Sequence, residues 1–309
     1  MTQGFNLKVW RGIVVIRRII NLAVWTYRHG TINLYHRVKH TPLWKNQVID
    51  EFKVQSSSMT DSFYLSTYPS LCALAANNDV AFKTFRSAQT MVEALDHVSI
   101  EQANLYILEI LKKGLWNPEF TEVINKIDSL GNPRKYRFPP YGTFSPTLLR
   151  YLKVYMDLKI IFGELDEYNI AEIGIGFGGQ ASLISLLDSP ISFTLYDLPP
   201  VLELASRFME SLDSQGDFRF LDGRIPTKSA PDLVISNYAF SELNRDIQDE
   251  YLNKVILNAA RGYITWNRLS EESLGGHSLA SLMRLIPNSE ISPESPNTFE
   301  GNVIITWRN

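Results

Sequence analysis

From Asn169 to the end of the chain, short apolar runs alternate with amphipathic segments. The runs are NIAEIG (169–174), SFTLYDL (192–198), DFRFLD (217–222), PDLVISN (231–237) and GYITWN (262–267). Between them lie GQASLISLLDS, PPVLELASRFMESL and RDIQDEYLNKVILNAARG, each patterned as a helix. Strand and helix in strict alternation predict parallel strands joined by crossovers, hence an α/β sheet covered on both faces. In the third helix, Ile247, Tyr251, Leu252, Val255, Ile256 and Ala259 recur at helical spacing, and Gly262 reads as its stop. Two weaker runs, around 288–296 and 302–308, are close enough to form an antiparallel hairpin at the end.

Upstream, from 60 to about 130, the pattern is helical. Ser99 and Gln102 have capping-box spacing, and Leu105, Ile107, Leu108 and Leu111 supply an apolar face before Gly114. Residues 129–146, SLGNPRKYRFPPYGTFSP, read as a loop rich in Gly and Pro, with four aromatics and three cations. Ser145 suits an N-cap and Pro146 a first helical position, which predicts a helix from there to Gly163. Three regions follow: a segment over 1–55, a helical accessory region over 56–144, and the α/β domain over 145–309.

Composition adds that this is a folding chain, 45% hydrophobic and 20% charged. The net charge of −3 gives no global reason to expect nucleic acid, but its distribution is uneven. Residues 1–55 hold nine Lys or Arg against Asp50 and Glu51 alone. On a helical wheel Arg11, Arg17, Arg18, Asn21 and Arg28 share one side and Ile13, Val15, Ile16, Ile19, Ile20, Leu22 and Val24 cover the rest. Such a helix suits an anionic membrane surface, or packing on the body of the protein or on a second copy in a homodimer. Its apolar run is interrupted by Arg17 and Arg18, short of the roughly 20 residues a membrane span needs, and it lacks a signal-peptide cleavage site. The single cysteine, Cys72, excludes an intrachain disulfide and a thiolate metal cage, favouring a reducing, cytoplasmic setting, with the inner membrane face as the peripheral alternative. The histidines show no metal-ligand spacing.

The chemistry concentrates at AEIGIGFGGQ (171–180). A strand, a glycine turn and a helix place backbone N–H groups and a helix N-terminus beside a ligand. Gly174, Gly176 and Gly179 fit the GxGxxG of dinucleotide sites, while Gly174, Gly176 and Gly178 fit the GxGxG of S-adenosylmethionine sites. Asp197, about 20 residues on, can accept ribose hydroxyls in either. Glu172 tips the balance: a buried carboxylate is costly under a pyrophosphate and useful beside the cationic chain of S-adenosylmethionine. The closing hairpin points the same way.

The segments EIGIGFGGQASLI, YDLPPVLELASRF, DLVISNYAFSEL and GYITWN, with YGTFSPTLLRY upstream, resemble the bacterial sugar O-methyltransferase family of polysaccharide and lipopolysaccharide biosynthesis. The resemblance covers roughly 140–309. It implies a Rossmann-like seven-stranded methyltransferase sheet with an antiparallel last strand, preceded by an N-terminal helical region. It also implies S-adenosyl-L-methionine as cofactor and a sugar or glycan acceptor, free or nucleotide- or lipid-linked. In such a sheet the donor lies over Glu172, Gly174, Gly176, Gly178 and Gln180, with Asp197 on the ribose, Leu198 on the adenine, Asp222 at the adenine amino group and Asn237 near the sulfonium. Glu242 is the first choice of general base and His277 the second. Tyr141, Ser145, Arg150, Tyr151, Tyr238 and Ser241 are placed to meet the acceptor, Arg150 being equally suited to the donor carboxylate.

Other readings stay open. An NAD(P)-dependent oxidoreductase or epimerase fits the glycines, though the Tyr155 and Lys159 spacing lies upstream of the loop, on the wrong side. A non-catalytic donor-binding scaffold is a third class. Plant phenol O-methyltransferases share an Asp-Leu-Pro-x-Val stretch like Asp197 to Val201, but ISNYAFSEL stands where their histidine base would be.

Overall fold

A computed structural model describes residues 67–309, apart from 115, 269–270 and 272–273. The basic segment and its amphipathic helix lie outside the described residues. The accessory region is built of α1 (Tyr68–Asn77), α2 (Asp79–Phe82), α3 (Gln89–Ala94), α4 (Ile100–Lys112) and α5 (Pro118–Ile127). The capping box that opens α4 is formed: the Gln102 N–H donates to Ser99 Oγ at 3.2 Å and the Ser99 N–H to Gln102 Oε1 at 3.4 Å. The buried stripe of α4 is Ala103, Tyr106, Ile107 and Ile110, set against α6 (Pro146–Phe162). Leu105 and Leu108 of the expected face are instead 45% and 51% exposed, because the helix presents the neighbouring i, i+3, i+7 row to its partner.

The expected loop over 129–146 carries a small antiparallel hairpin, β1 (Tyr136–Phe138) and β2 (Gly142–Phe144), whose Phe138 and Phe144 rings stack inward. Ser145 does occupy the N-cap position of α6, but its hydroxyl does not cap. It donates to Asp128 Oδ1 (2.7 Å) and accepts from Arg86 Nη2 (3.0 Å). Arg86 is fully buried, pairs with Asp96 and Asp128, and lies 4.7 Å from the centroid of the Phe177 ring in the glycine loop. This cluster fastens the accessory helices, the head of α6 and the loop to one another.

The sheet comprises β3 (Asn169–Ile173), β4 (Ser192–Asp197), β5 (Asp217–Asp222), β6 (Leu233–Asn237), β7 (Arg261–Trp266), β8 (Glu290–Pro293) and β9 (Val303–Arg308). Its order is β5-β4-β3-β6-β7-β9-β8; all neighbours up to β7 pair in parallel, and β9 runs antiparallel to both of its neighbours. Counted from β3, this is 3-2-1-4-5-7-6, a Rossmann-like methyltransferase sheet. Helices α7 (Gly179–Leu187) and α8 (Pro199–Glu210) make the first crossovers, and α1 packs on α8 while α5 packs on α7.

On the β6–β9 side one apolar cluster joins Tyr251, Val255, Ile256, Ile264, Trp266 and Trp307. Each fully buried aliphatic there contributes about 1.5–3 kcal/mol. Helix α9 (Arg245–Lys254) stops earlier than the pattern predicts. Val255 leaves helical backbone (φ −126°, ψ −59°), and a short 3₁₀ turn over Ile256–Asn258 carries the last apolar positions into the cluster. Gly262 lies within β7 rather than ending the helix: a Cβ there would stand 1.9 Å from the Trp307 ring, so the strand needs its bare backbone beneath the indole.

Candidate functional site

The chain switches direction across the sheet between β3 and its two neighbours, and the crevice outside the C-terminal strand ends is where such sheets bind ligands. Gly174 and Gly176 turn the chain there with φ of +78° and +56°. A Cβ at Gly174 would lie 2.0 Å from Ala239 Cβ, and one at Gly176 would lie 2.7 Å from Leu95 Cδ1. Only glycine satisfies both the dihedral and the space. Gly178 then leads into α7.

Asp197, ending β4, accepts from the Gly176 N–H (3.0 Å) and the Leu198 N–H (2.8 Å), which ties the second strand's carboxylate to the first strand's turn. Burial pushes its pKa up to about 6, against backbone donors at Leu198, Gly176 and Ile175 that pull it down. Glu172 is 2% exposed and its Oε2 has no partner. Burial, then the charge of Asp197, pushes it up to about 8. Gln180 donates to the Tyr151 carbonyl (3.3 Å) while its buried Oε1 is unpaired. Leu198 is buried beside Asp197, and Tyr68 and Cys72 of α1 lie close enough to feel the Asp197 charge. Glu172, the glycines, Gln180, Asp197 and Leu198 are thus brought together. The contribution of α1, and of Leu95 over Gly176, carries no motif in the sequence.

A second cavity lies between α4, α6, β6, β7 and the loop joining β8 to β9. Tyr106, Arg150, Asn237, Tyr238, Tyr263 and Glu294 are on its wall. Tyr238 sits at φ +68°, a strained turn immediately after β6 that aims the ring into this space. Its hydroxyl donates to Glu294, whose other oxygen accepts from the Thr298 N–H (2.9 Å), Thr298 Oγ1 (2.6 Å) and Asn302 Nδ2 (3.1 Å). The Arg150 guanidinium lies 5.6 Å from the Tyr151 ring centroid and 5.9 Å from that of Tyr238. Of the residues expected to meet the acceptor, Arg150 and Tyr238 are on this wall, joined by Asn237, expected at the sulfonium. Tyr151 instead packs on Phe177 of the glycine loop, centroids 6.1 Å apart, and Tyr106, Tyr263 and Glu294 are not among the expected residues.

Six further residues are placed elsewhere or have their polar groups engaged. The Ser145 hydroxyl is held in the Arg86 cluster, and the Ser241 hydroxyl donates to the Tyr238 carbonyl (2.6 Å) and accepts from the Asn267 N–H (3.1 Å). Tyr141 packs on Trp116, centroids 4.6 Å apart. Asp222 is gripped by Arg224 in its own turn (2.5 Å), which holds its carboxyl below the ordinary range. Glu242 accepts from Asn267 Nδ2 (2.8 Å), with its pKa raised by burial, and is absent from the cavity wall. His277 is buried against α9 and α10 (Leu279–Leu285), its ring between Asp249 Oδ1 (2.6 Å) and Ser281 Oγ (3.1 Å).

No family model and no curated protein matches the chain. Solved structures with a similar fold include a Thermoplasma acidophilum protein (16% identity, TM-score 0.39, covering 62% of this chain and 97% of that one). They also include the magnesium protoporphyrin IX methyltransferase of Synechocystis PCC 6803 with bound SAH (13%, TM-score 0.41, 52% and 83%). The N-methyltransferase NodS of Bradyrhizobium japonicum WM9, in complex with S-adenosyl-L-homocysteine, gives 11%, TM-score 0.40, 52% and 85%. The Rossmann-like architecture of this chain is read from its own strand order and antiparallel β9. Among the described residues no helix is long and apolar enough to cross a membrane.

Proposed function

We propose that the protein is an S-adenosylmethionine-dependent O-methyltransferase that modifies a sugar hydroxyl in glycan or polysaccharide assembly. The donor assignment rests on Glu172, a buried carboxyl with an unpaired oxygen on the strand that feeds the glycine turn. An unpartnered buried polar group costs several kcal/mol, and a cationic ligand offsets that cost where a pyrophosphate would add to it. The sheet order agrees, since dinucleotide-binding sheets run 3-2-1-4-5-6 without the antiparallel insertion.

The residues present fit that donor. The Gly174 and Gly176 turn would admit its backbone-close chain, Glu172 would answer its positive charge, Asp197 would accept from its ribose, and Leu198 would cover its base. When bound, the donor supplies a methyl group on a sulfonium, an electrophile that needs alignment more than activation. The chain's own task is to orient the acceptor hydroxyl and take its proton. Glu294 is the carboxylate on the cavity wall, reached through the Tyr238 hydroxyl, so this pair rather than Glu242 or His277 is assigned the proton. The sugar is supported by the sequence resemblance, and the tyrosines and hydrogen-bonding groups of the wall suit the polar oxygens such an acceptor carries. Calorimetry with S-adenosylhomocysteine, NAD+ and NADP+ tests the reading: binding of the first alone is expected, and binding of either dinucleotide in its place overturns it.

A further inference from the structure

The cavity beside Tyr238 has an unusual polar balance. Three buried polar atoms on its wall, each able to donate a hydrogen bond, have no partner: the Tyr106 hydroxyl on α4, Arg150 Nε on α6 and Asn237 Nδ2 at the end of β6. They come from three separate elements, so no local turn accounts for them. Native interiors rarely leave such donors unmade, and three on one wall mark a place built for an acceptor.

The charge of Arg150 sharpens the point. It is 8% exposed, forms no ion pair among the described residues, donates from Nη2 to the Leu95 carbonyl (3.3 Å) and is also hydrogen-bonded to the Tyr151 side chain. The groups that face it are the neutral phenols of Tyr151, Tyr238 and Tyr106. The other ionisable groups on the wall are already matched. Lys153 is paired with Asp157 at 2.6 Å, which also holds Lys113 at 2.6 Å and the Tyr263 hydroxyl at 2.8 Å. Glu294 has its charge spread over Tyr238, Thr298 and Asn302. Among the described residues neither Glu294 nor Arg150 has an oppositely charged partner, but both Glu294 oxygens are hydrogen-bonded while the Arg150 Nε is not, so the unmet demand in the cavity is for an acceptor.

Size and place limit what can answer it. The inner space is about 10 Å³, the room of roughly one water. A single oxygen of a carboxylate or phosphoryl group reaches it, and a sugar ring does not. No residue of the glycine turn is on this wall, while Asn237, expected near the sulfonium, is.

We infer that this cavity is an oxyanion subsite for the acceptor, so that the sugar methylated is an acidic one carrying a carboxylate or a phosphate. Arg150 supplies the charge and a directed N–H, and Tyr106 and Asn237 complete the donor set. This rests on the methyltransferase reading above, and the two can fail separately.

The test titrates the full chain, saturated with S-adenosylhomocysteine, with D-glucuronate, D-glucose 6-phosphate and D-glucose. At least one acid is expected to bind about tenfold or more tightly than glucose, as a charge-assisted contact implies. Arg150→Met should erase that preference. Tyr106→Phe, which deletes an oxygen with no internal partner and so spares the fold, should reduce it about threefold. Neither change should move the affinity for S-adenosylhomocysteine by more than about twofold. Indifference to sugar charge, or no binding of either acid, overturns the subsite. So does an Arg150→Met variant that loses S-adenosylhomocysteine yet keeps 5′-methylthioadenosine, which would give the arginine to the donor's own carboxylate. Failure of the parent chain to bind S-adenosylhomocysteine sinks the donor reading instead, and the same sugar titration on the free protein still decides the subsite.

Discussion

The donor crevice and the acceptor cavity are built by opposite rules. The crevice draws most of its groups from one stretch, 172–198, where strand, turn, helix and strand follow one another and the chain itself sets the spacing. The cavity collects Tyr106, Arg150, Asn237, Tyr263 and Glu294 from five elements spread over nearly two hundred positions. A crevice of the first kind is rigid because its parts are near neighbours. A cavity of the second kind depends on how the accessory helices and the last hairpin dock.

The largest effect that separates the two belongs to Asp197. Its carboxylate holds the Gly176 and Leu198 N–H groups and is the acceptor offered to the ribose. Asp197→Ala should therefore weaken S-adenosylhomocysteine by about 100-fold or more, the loss expected when two charge-assisted hydrogen bonds and a turn tether go together. Calorimetry reads this directly, and the preference for an acidic sugar in the cavity should survive. A comparable loss of both would mean that crevice and cavity are one site.

Next comes the contrast between two glutamates. Glu294→Gln should cut turnover about 100-fold, scored as S-adenosylhomocysteine released from the methyl donor in the presence of an acidic sugar, with donor affinity unchanged. Glu242→Gln, whose carboxyl meets Asn267 away from the wall, should cost less than about fivefold. The reverse order would return the proton to Glu242 and move the reacting hydroxyl to the other side of Tyr238.

This contrast also shows what the sequence can express. The runs after Asn169 match every strand of the sheet, and the central ones read most clearly because a strand buried on both faces is mostly apolar, as Ile170, Ala171 and Ile173 are around the single carboxyl of Glu172, whereas β5 and β8 are partly or wholly exposed. The glycine turn and Asp197 are legible because their spacing is imposed by a single crossover. Glu294 was not legible. SPESPN looks like any polar turn until Tyr238, 56 positions earlier, is found bonded to it. Tyr106 likewise reads as one more residue of an amphipathic face. His277 and Ser145 misled for the converse reason: residue type suggests chemistry, while the packing partners that occupy them, Asp249 and the Arg86 cluster, are remote in sequence.

The smallest effect is one of pH, and it asks whether Glu172 faces the donor at all. Its carboxyl, ordinarily near 4.5, titrates at about 8 in the folded chain. Between those values the folded state holds a proton that the unfolded state has released. The raised pKa therefore favours folding fully below about 4.5 and loses that contribution as pH rises through 8, on the order of a few kcal/mol. Asp197, raised from 3.8 to about 6, acts with the same sign over a lower window. Glu172→Gln keeps the shape of the protonated acid and cannot ionise. Its Tm should therefore match the parent near pH 5 and exceed it increasingly toward pH 9. A cationic donor selects the ionised carboxylate, so the parent's affinity for S-adenosylmethionine should climb as pH approaches 8 and level off above it, while the Gln variant stays flat and weaker. If the Tm curves diverge as expected but donor affinity follows the same pH course in both proteins, the carboxyl is buried as described and points away from the ligand, and the cation argument fails at its first residue.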